Sequence, residues 1–131
     1  MLSPISSLLL SASLAWIMVI VAALSRTRAL SLGGLKTALG NREHLDAPSA
    51  FAARADRAAK NMIENLVLFA LVLLAASMAT VPAGDLAVPC AIFLGSRLAY
   101  ALLYWGGVPY VRTVAWVVSL CGILWIGALA A

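Results

Sequence analysis

The chain has 131 residues and a net charge of +4, with 64% hydrophobic and only 11% charged residues. Soluble domains carry about a quarter charged residues, so this chain cannot cover a water-facing surface, and we predict a single-domain integral membrane protein. The positive charge does not indicate a nucleic-acid partner, because seven of the nine Lys and Arg residues precede or open the second apolar segment: Arg26, Arg28, Lys36, Arg42, Arg54, Arg57 and Lys60.

The first apolar segment covers residues 5–24, close to the roughly 20 residues that span the hydrocarbon core. No basic residue precedes it, whereas signal peptides begin with a basic region, so we expect a retained transmembrane helix. Ser7, Ser11 and Ala15 recur every four residues and form a seam of small residues suited to close helix packing. We expect a neighbouring chain to cover this seam.

A basic loop over residues 25–48 follows, with breakers at Gly33-Gly34, Gly40-Asn41 and Asp46-Ala47-Pro48. Residues 30–39 can form a short surface helix, although the glycine pair disfavours it. Lys and Arg concentrate in the cytoplasmic loops of membrane proteins. We therefore expect this loop to be cytoplasmic and both termini to lie on the opposite face, which is the periplasmic face if the membrane is a bacterial inner membrane.

Three more helices complete the predicted bundle. The second span, residues 50–78, is too long for the bilayer alone, so its polar first turns are expected to protrude or to line a cavity. A tight turn over residues 81–85 leads into the third span, residues 86–104, whose Pro89 lies near the first turn, where proline is tolerated. After a turn rich in glycine, the fourth span covers residues 110–129. The sequence thus predicts an all-α membrane four-helix bundle.

Polar side chains share one face at the start of the second span. At about 100° per residue, five of them fall within an arc of roughly 100°, while Asp56 and Lys60 point elsewhere. The five are Arg54, Arg57, Asn61, Glu64 and Asn65. They form either a buried network that joins the helices, such as an Arg57–Glu64 pair, or a polar pocket at the membrane interface for an anionic or zwitterionic ligand. Ionisable residues inside a membrane are functional candidates by default, and this helix alone leaves both interpretations open.

A second polar face lies near the end of the third span, on the same side of the membrane. Arg97, Tyr100 and Tyr104 are spaced i, i+3 and i+7, and Arg112 opens the fourth span. An arginine within a span needs an acidic partner, here Glu64 or a ligand carboxylate. An interfacial aromatic belt accounts for three further residues, Trp105, Tyr110 and Trp116.

Cysteine and histidine give no sign of a metal site. Cys90 and Cys121 both lie in apolar segments and are interpreted as small core residues. Together with the single histidine, His44, they do not form a metal-ligand spacing, so no metal is expected.

The polar blocks together resemble the MAPEG family, whose name stands for membrane-associated proteins in eicosanoid and glutathione metabolism. The resemblance rests on three blocks: Arg57-x-x-x-Asn61-x-x-Glu64-Asn65, Arg97-x-x-Tyr100-x-x-x-Tyr104, and Arg112. It covers nearly the whole chain, and the string ALGNREH…ARADRAAKNMIENL resembles the bacterial branch in particular. It implies a homotrimer of left-handed, up-down four-helix bundles, with glutathione as a co-substrate bound between adjacent subunits near the cytoplasmic face.

The resemblance also implies a set of glutathione-binding residues. They are Arg57, Asn61, Glu64, Arg97, Tyr100, Tyr104 and Arg28, with Arg26 as the alternative to Arg28. The two tyrosines would come from the neighbouring subunit. Arg112 matches the arginine that stabilises the thiolate, because a nearby cation raises the small thiolate fraction that a free thiol has at neutral pH.

Two functions follow from this resemblance. The leading one is a glutathione-dependent transferase or peroxidase of the microsomal glutathione S-transferase type, acting on lipophilic small molecules that enter from the lipid side. The chain departs from the family pattern at Ala53, where an acidic residue is common, and at Asp56, where a basic one is. Because the family includes a non-catalytic lipoxygenase-activating member, the rival is a non-enzymatic membrane scaffold, a lipid-binding protein or an accessory subunit of a larger complex.

Overall fold

The structure, a computed structural model, describes residues 2–28, 31–40 and 47–131. Within these ranges the chain forms no strand and five α-helices: α1 Pro4–Thr27, α2 Leu32–Leu39, α3 Ala50–Met78, α4 Ala83–Trp105 and α5 Val111–Ala130. Four of these helices, all but α2, are long and apolar enough to cross a membrane. The predicted all-α membrane bundle is therefore confirmed. Residues 41–46 lie outside the described ranges, and with them the predicted breakers Asn41 and Asp46 as well as Arg42 and His44.

Serine residues start three of the helices. Ser3, Ser31 and Ser49 each accept a hydrogen bond on Oγ from the backbone N–H three residues later, at 3.0, 3.1 and 3.1 Å. A side-chain oxygen at this position satisfies one of the N–H groups that have no partner within the helix. Ser49 thereby fixes the start of α3, the helix that carries the first polar block.

The short surface helix forms as α2, and Gly34 allows it to pack against the end of α1. Helix α1 ends at Thr27, where Arg28 adopts a left-handed backbone conformation with φ 51°. A Cβ atom at Gly34 would overlap the carbonyl oxygen of Arg28, whereas one at Gly33 would meet nothing within 4 Å. Only one glycine of the pair is therefore required by packing.

Helix α4 begins three residues before the predicted position. Residues 81–85 do not form a separate turn, because Pro82 occupies the N-cap position and the helix starts at Ala83. Asp85 then lies in the first turn, where a carboxylate interacts favourably with the helix dipole. Pro89 consequently lies inside the helix, not in its first turn, and its carbonyl oxygen would be only 3.0 Å from a Cβ atom placed at Gly122. The absent side chain of Gly122 lets α5 approach α4 closely.

The bundle packs mainly through two helix pairs, α1 with α3 and α4 with α5. One cluster of buried side chains contains Met18, Met62 and Tyr100. A second cluster centres on Phe69 and Phe93, whose rings stack with their centroids 4.0 Å apart. Both clusters lie between helices of the same chain.

The small-residue seam of α1 is used inside the chain. Ser7, Ser11 and Ala15 are all buried in the isolated chain, Ser7 and Ser11 completely. The expectation that a neighbouring chain covers this seam was wrong, because the periodicity identifies a closely packed face and does not identify what packs on it. The outer face of α1 instead carries large apolar side chains such as Trp16 and Ile5, which are 71% and 70% exposed.

The polar residues collect at one end of the bundle. The start of α3 lies beside the end of α4, since Arg54 Nη2 donates to the carbonyl oxygen of Trp105 at 3.4 Å. The turn that follows brings the start of α5 to the same end. The end of α1 also lies there, because Arg26 and Asp56 line one cavity between α1 and α3.

Candidate functional site

Six predicted site residues form what we call the arginine–tyrosine cluster, at the polar end of the bundle. It comprises Arg57 and Asn61 on α3, Arg97, Tyr100 and Tyr104 on α4, and Arg112 on α5. The cluster forms because the polar faces of α3 and α4 turn toward each other. Nε of Arg57 donates a hydrogen bond to the hydroxyl of Tyr104 at 3.3 Å.

Arg97 is the innermost residue of the cluster, with no exposed surface in the isolated chain. Its Nη2 donates to Oδ1 of Asn61 at 3.0 Å, and its Nε lies 3.3 Å from the sulfur of Met62. Its guanidinium carbon lies 4.4 Å from the ring centroid of Tyr100, which places the cation over an aromatic face. Its Nη1 is buried and has no partner among the described residues. Of the two acidic partners expected for Arg97, Glu64 does not contact it within this chain, where an amide oxygen and a thioether lie beside the guanidinium. A ligand carboxylate remains a prediction.

Arg112 reaches the cluster from the first turn of α5. Its guanidinium carbon lies 4.3 Å from the ring centroid of Tyr104. The Tyr104 ring in turn lies 5.3 Å from that of Tyr100, with a tilt of 57° between the planes. The contacts therefore run from Arg97 through Tyr100 and Tyr104 to Arg112. Each cation lies over an electron-rich ring face, which is a favourable arrangement in a desolvated site.

A cavity of about 230 Å³ opens beside these contacts, and we call it the Asn61 cavity. Its lining consists of Asn61, Tyr100, Arg112, Thr113 and Trp116. Four guanidinium groups lie in or next to the cluster, those of Arg54, Arg57, Arg97 and Arg112. None of them forms a salt bridge within the part of the chain that the structure describes. Arg112 is the one among them that lines the cavity, which therefore presents a guanidinium without an ion-pair partner among the described residues.

Two predicted site residues lie apart from the cluster. Glu64 is exposed midway along α3, and it has no hydrogen bond or ion pair to the described residues. Arg28 is exposed at the end of α1 and lines a separate cavity of about 600 Å³ with Leu24, Ser25 and Ser31. Both remain predictions as glutathione ligands, and in a single chain neither lines the Asn61 cavity.

Two charged residues of α3 lie outside its polar face, as the helical period predicts. Asp56 and Lys60 point away from the cluster and form a salt bridge of 2.8 Å on the surface of α3. Asn65 turns inward and donates through Nδ2 to the carbonyl oxygen of Asn61 at 2.8 Å, while its Oδ1 is buried without a partner among the described residues. The Arg57–Glu64 pair considered as a structural network does not form within this chain.

Sequence reasoning missed three contributors to the site: Met62, Thr113 and Trp116. Trp116 was assigned to the aromatic belt, but it lines the Asn61 cavity, and its indole nitrogen is buried without a partner within the described ranges. The i, i+4 relation between Arg112 and Trp116 was the available signal, because it places both on one face of α5. Tyr110 is 84% exposed, and its assignment to the belt remains a prediction.

Comparison with known families gives one match. The model of the MAPEG family matches residues 3–131 of the chain. Neither the curated proteins nor the solved structures contain a significant match to the chain.

Proposed function

The chain belongs to the MAPEG family, and from this membership together with the geometry of the cluster we propose a function. It is a membrane-embedded, glutathione-dependent transferase or peroxidase of lipophilic electrophiles. The thiol ligand binds in the Asn61 cavity, between subunits of a homotrimer and near the cytoplasmic face.

One observation supports the thiol site most directly, namely the guanidinium of Arg112, which lines the Asn61 cavity without an ion-pair partner among the described residues. Buried cations are stable only when they are paired or hydrogen-bonded. Trp116 also lines the cavity, and its indole Nε1 is a buried donor without a partner among the described residues. A ligand with carboxylate and thiolate groups supplies the acceptors and the negative charge that this region lacks, and the donor set therefore fits glutathione.

The size of the cavity supports a site shared between subunits. Ligand pockets usually have volumes of about 300–1,000 Å³, and the Asn61 cavity has only about 230 Å³. One chain therefore holds part of a tripeptide. Glu64 supports the same conclusion, because an exposed carboxylate midway along a membrane-spanning helix is costly in contact with lipid. A neighbouring subunit that covers Glu64 brings a carboxylate to the ligand, where it can accept hydrogen bonds from an ammonium group.

Arg112 has the position needed to act on the sulfur atom. It lines the cavity, and its guanidinium is held over the ring of Tyr104. A fixed cation favours thiolate over thiol, and thiolate is the nucleophilic form. Glutathione would supply that nucleophile, whose sulfur bonds to the electrophilic carbon while the leaving group departs with its electron pair. The residues of this chain would orient the ligand and stabilise the negative charge on sulfur.

The membrane orientation follows from the distribution of charge. The basic residues described around α2 and at the start of α3 lie at the same end of the bundle as the cluster. Because Lys and Arg concentrate on the cytoplasmic side, this end faces the cytoplasm of a bacterial inner membrane, and both termini face the periplasm. A lipophilic substrate then reaches the thiol from within the bilayer.

The experiment that tests the activity uses purified protein in detergent with glutathione and an aryl halide such as 1-chloro-2,4-dinitrobenzene. Attack by sulfur forms a C–S bond and releases chloride, and the conjugate is followed by its absorbance. The proposal predicts a rate above that of the uncatalysed reaction, which is lowered in Arg112→Ala. A protein that binds glutathione and forms no conjugate with several electrophiles would instead support the non-enzymatic scaffold.

A further inference from the structure

The orientation of the Asn61 side-chain amide is fixed by Arg97. Nη2 of Arg97 lies 3.0 Å from Oδ1 of Asn61. A guanidinium has five N–H donors and no acceptor, so the atom of Asn61 that faces it must be the oxygen. The amide therefore directs its NH₂ group away from Arg97.

The NH₂ group of Asn61 is free to interact with a ligand. It donates to no other group among the described residues, and, unlike Nη1 of Arg97, it is not enclosed by protein atoms. Asn61 lines the cavity beside Tyr100 and Arg112. An N–H donor and a cation consequently face the same space.

Arg97 does not line this cavity, and it has no exposed surface. It can act on a bound molecule only through the groups that it holds. Its Nε contact with the sulfur of Met62 and its position over the ring of Tyr100 leave the guanidinium little freedom to turn. The orientation of the Asn61 amide is therefore set by a rigid neighbour.

We propose that Arg97 is a positioning residue for Asn61, and that the pair selects an anionic, hydrogen-bond-accepting group of the ligand over its ammonium group. This inference rests on the proposed function, since it concerns the same cavity. An amide without such a partner can rotate by 180° about its terminal bond and present either its oxygen or its NH₂ group. Arg97 prevents Asn61 from presenting its oxygen to the cavity, so that Asn61 acts toward a ligand only as a donor. The ammonium group of glutathione is thereby directed away from Asn61 and Arg112.

The variant Asn61→Asp tests the selection without disturbing the packing. One carboxylate oxygen still accepts the hydrogen bond from Arg97, and the other replaces the NH₂ group that faces the cavity. Thermal stability should equal or exceed that of the unsubstituted protein, because Arg97 gains an acidic partner. Glutathione affinity, measured by calorimetric titration, should fall by about tenfold or more, since a charge-assisted donor becomes a repelling acceptor. Ser77→Asp adds the same charge near the far end of α3, away from the cluster, and should leave the affinity unchanged.

Two variants at position 97 test the positioning role. Arg97→Lys retains a donor for Asn61 and should keep most of the affinity. Arg97→Met removes the donor and should lower the affinity as Asn61→Asp does. If Arg97→Met fails to fold, Asn61→Asp and Arg97→Lys still test the proposal. If Arg97 and Asn61 have only a structural role, glutathione affinity should be unchanged in a stable Asn61→Asp protein.

The bound group is identified by repeating the titrations with S-methylglutathione, which has no ionisable thiol. If Asn61 contacts the thiolate, Asn61→Asp should not lower the affinity for this ligand. If Asn61 contacts a carboxylate, Asn61→Asp should lower the affinity for S-methylglutathione as it does for glutathione. Unchanged glutathione affinity in Asn61→Asp would overturn this inference and leave the proposed function standing. Absence of glutathione binding by the unsubstituted protein would overturn both.

Discussion

Arg57 and Tyr104 join the two polar helices of the bundle, through a hydrogen bond of 3.3 Å from Nε to the phenolic oxygen. The phenol ring of the same tyrosine carries the guanidinium of Arg112 at 4.3 Å. Tyr104 thus connects an arginine proposed to bind the ligand to one proposed to act on its sulfur. The two arginines should therefore fail in different ways when they are substituted.

Substitution of Arg112 should affect turnover more than binding. In Arg112→Ala we expect a nearly unchanged glutathione affinity and a kcat reduced by roughly a hundredfold, the order of magnitude seen when one stabilising donor of a developing charge is removed. Because the cation that favours thiolate is lost, the pH–rate profile should also move to higher pH. Arg112→Lys retains the charge and serves as the control. A clear loss of glutathione affinity in Arg112→Ala would instead assign Arg112 to ligand binding.

Assembly should follow from the exposed carboxylate of Glu64. A single chain leaves this group exposed midway along α3, a helix able to span a membrane, and the proposed trimer would cover it. We expect a trimer in mild detergent, measured by light scattering with correction for bound detergent. A monomeric mass with full helical content by circular dichroism would remove the site between subunits.

The charge distribution predicts the topology. Reporters fused at Gly40 should be cytoplasmic, whereas reporters fused near Asp85 or after Ala131 should be periplasmic. Alkaline phosphatase and green fluorescent protein report opposite sides of a bacterial inner membrane, so each fusion point is checked twice. A periplasmic signal at Gly40 would reverse both the orientation and the proposed location of the ligand.

The glycine pair in α2 offers a matched test of the structure around Arg28. Gly34→Ala should lower the free energy of unfolding by roughly 1–3 kcal/mol, because its Cβ atom would overlap the carbonyl oxygen of Arg28. Gly33→Ala should be neutral or slightly stabilising, since its Cβ atom would meet open space and alanine favours helix. Thermal unfolding of the two variants measures the difference. Similar stability in both would mean that α2 does not pack against the end of α1.

The sequence predicted the helices and the polar faces because both depend on local properties. Apolar length identifies a span, and the helical period places Arg57 and Asn61 on one side of α3. The start of α4 was misplaced because Pro82 was taken as part of a turn, although proline is also suited to the first positions of a helix.

The contacts between helices could not be predicted in the same way. Arg97 pairs with Asn61, 36 positions earlier in the chain, and not with Glu64. That choice depends on the rotation of α3 and α4 about their axes, which the packing of the whole bundle sets. The same limit explains Trp116: composition indicates an interfacial aromatic residue, and only the rotation of α5 turns its indole toward the cavity.

The central claim is that the arginine–tyrosine cluster binds the charged groups of glutathione, and calorimetric titration of Arg57→Ala beside the unsubstituted protein tests it most directly. We expect saturable binding by the unsubstituted protein. In Arg57→Ala it should be weaker by about 1.5–3 kcal/mol, the contribution of a hydrogen bond to a charged group. Thermal stability should be preserved, because Arg57 is exposed and its described partner is Tyr104. Unchanged affinity in a stably folded Arg57→Ala protein, or no binding by the unsubstituted protein, would contradict the claim.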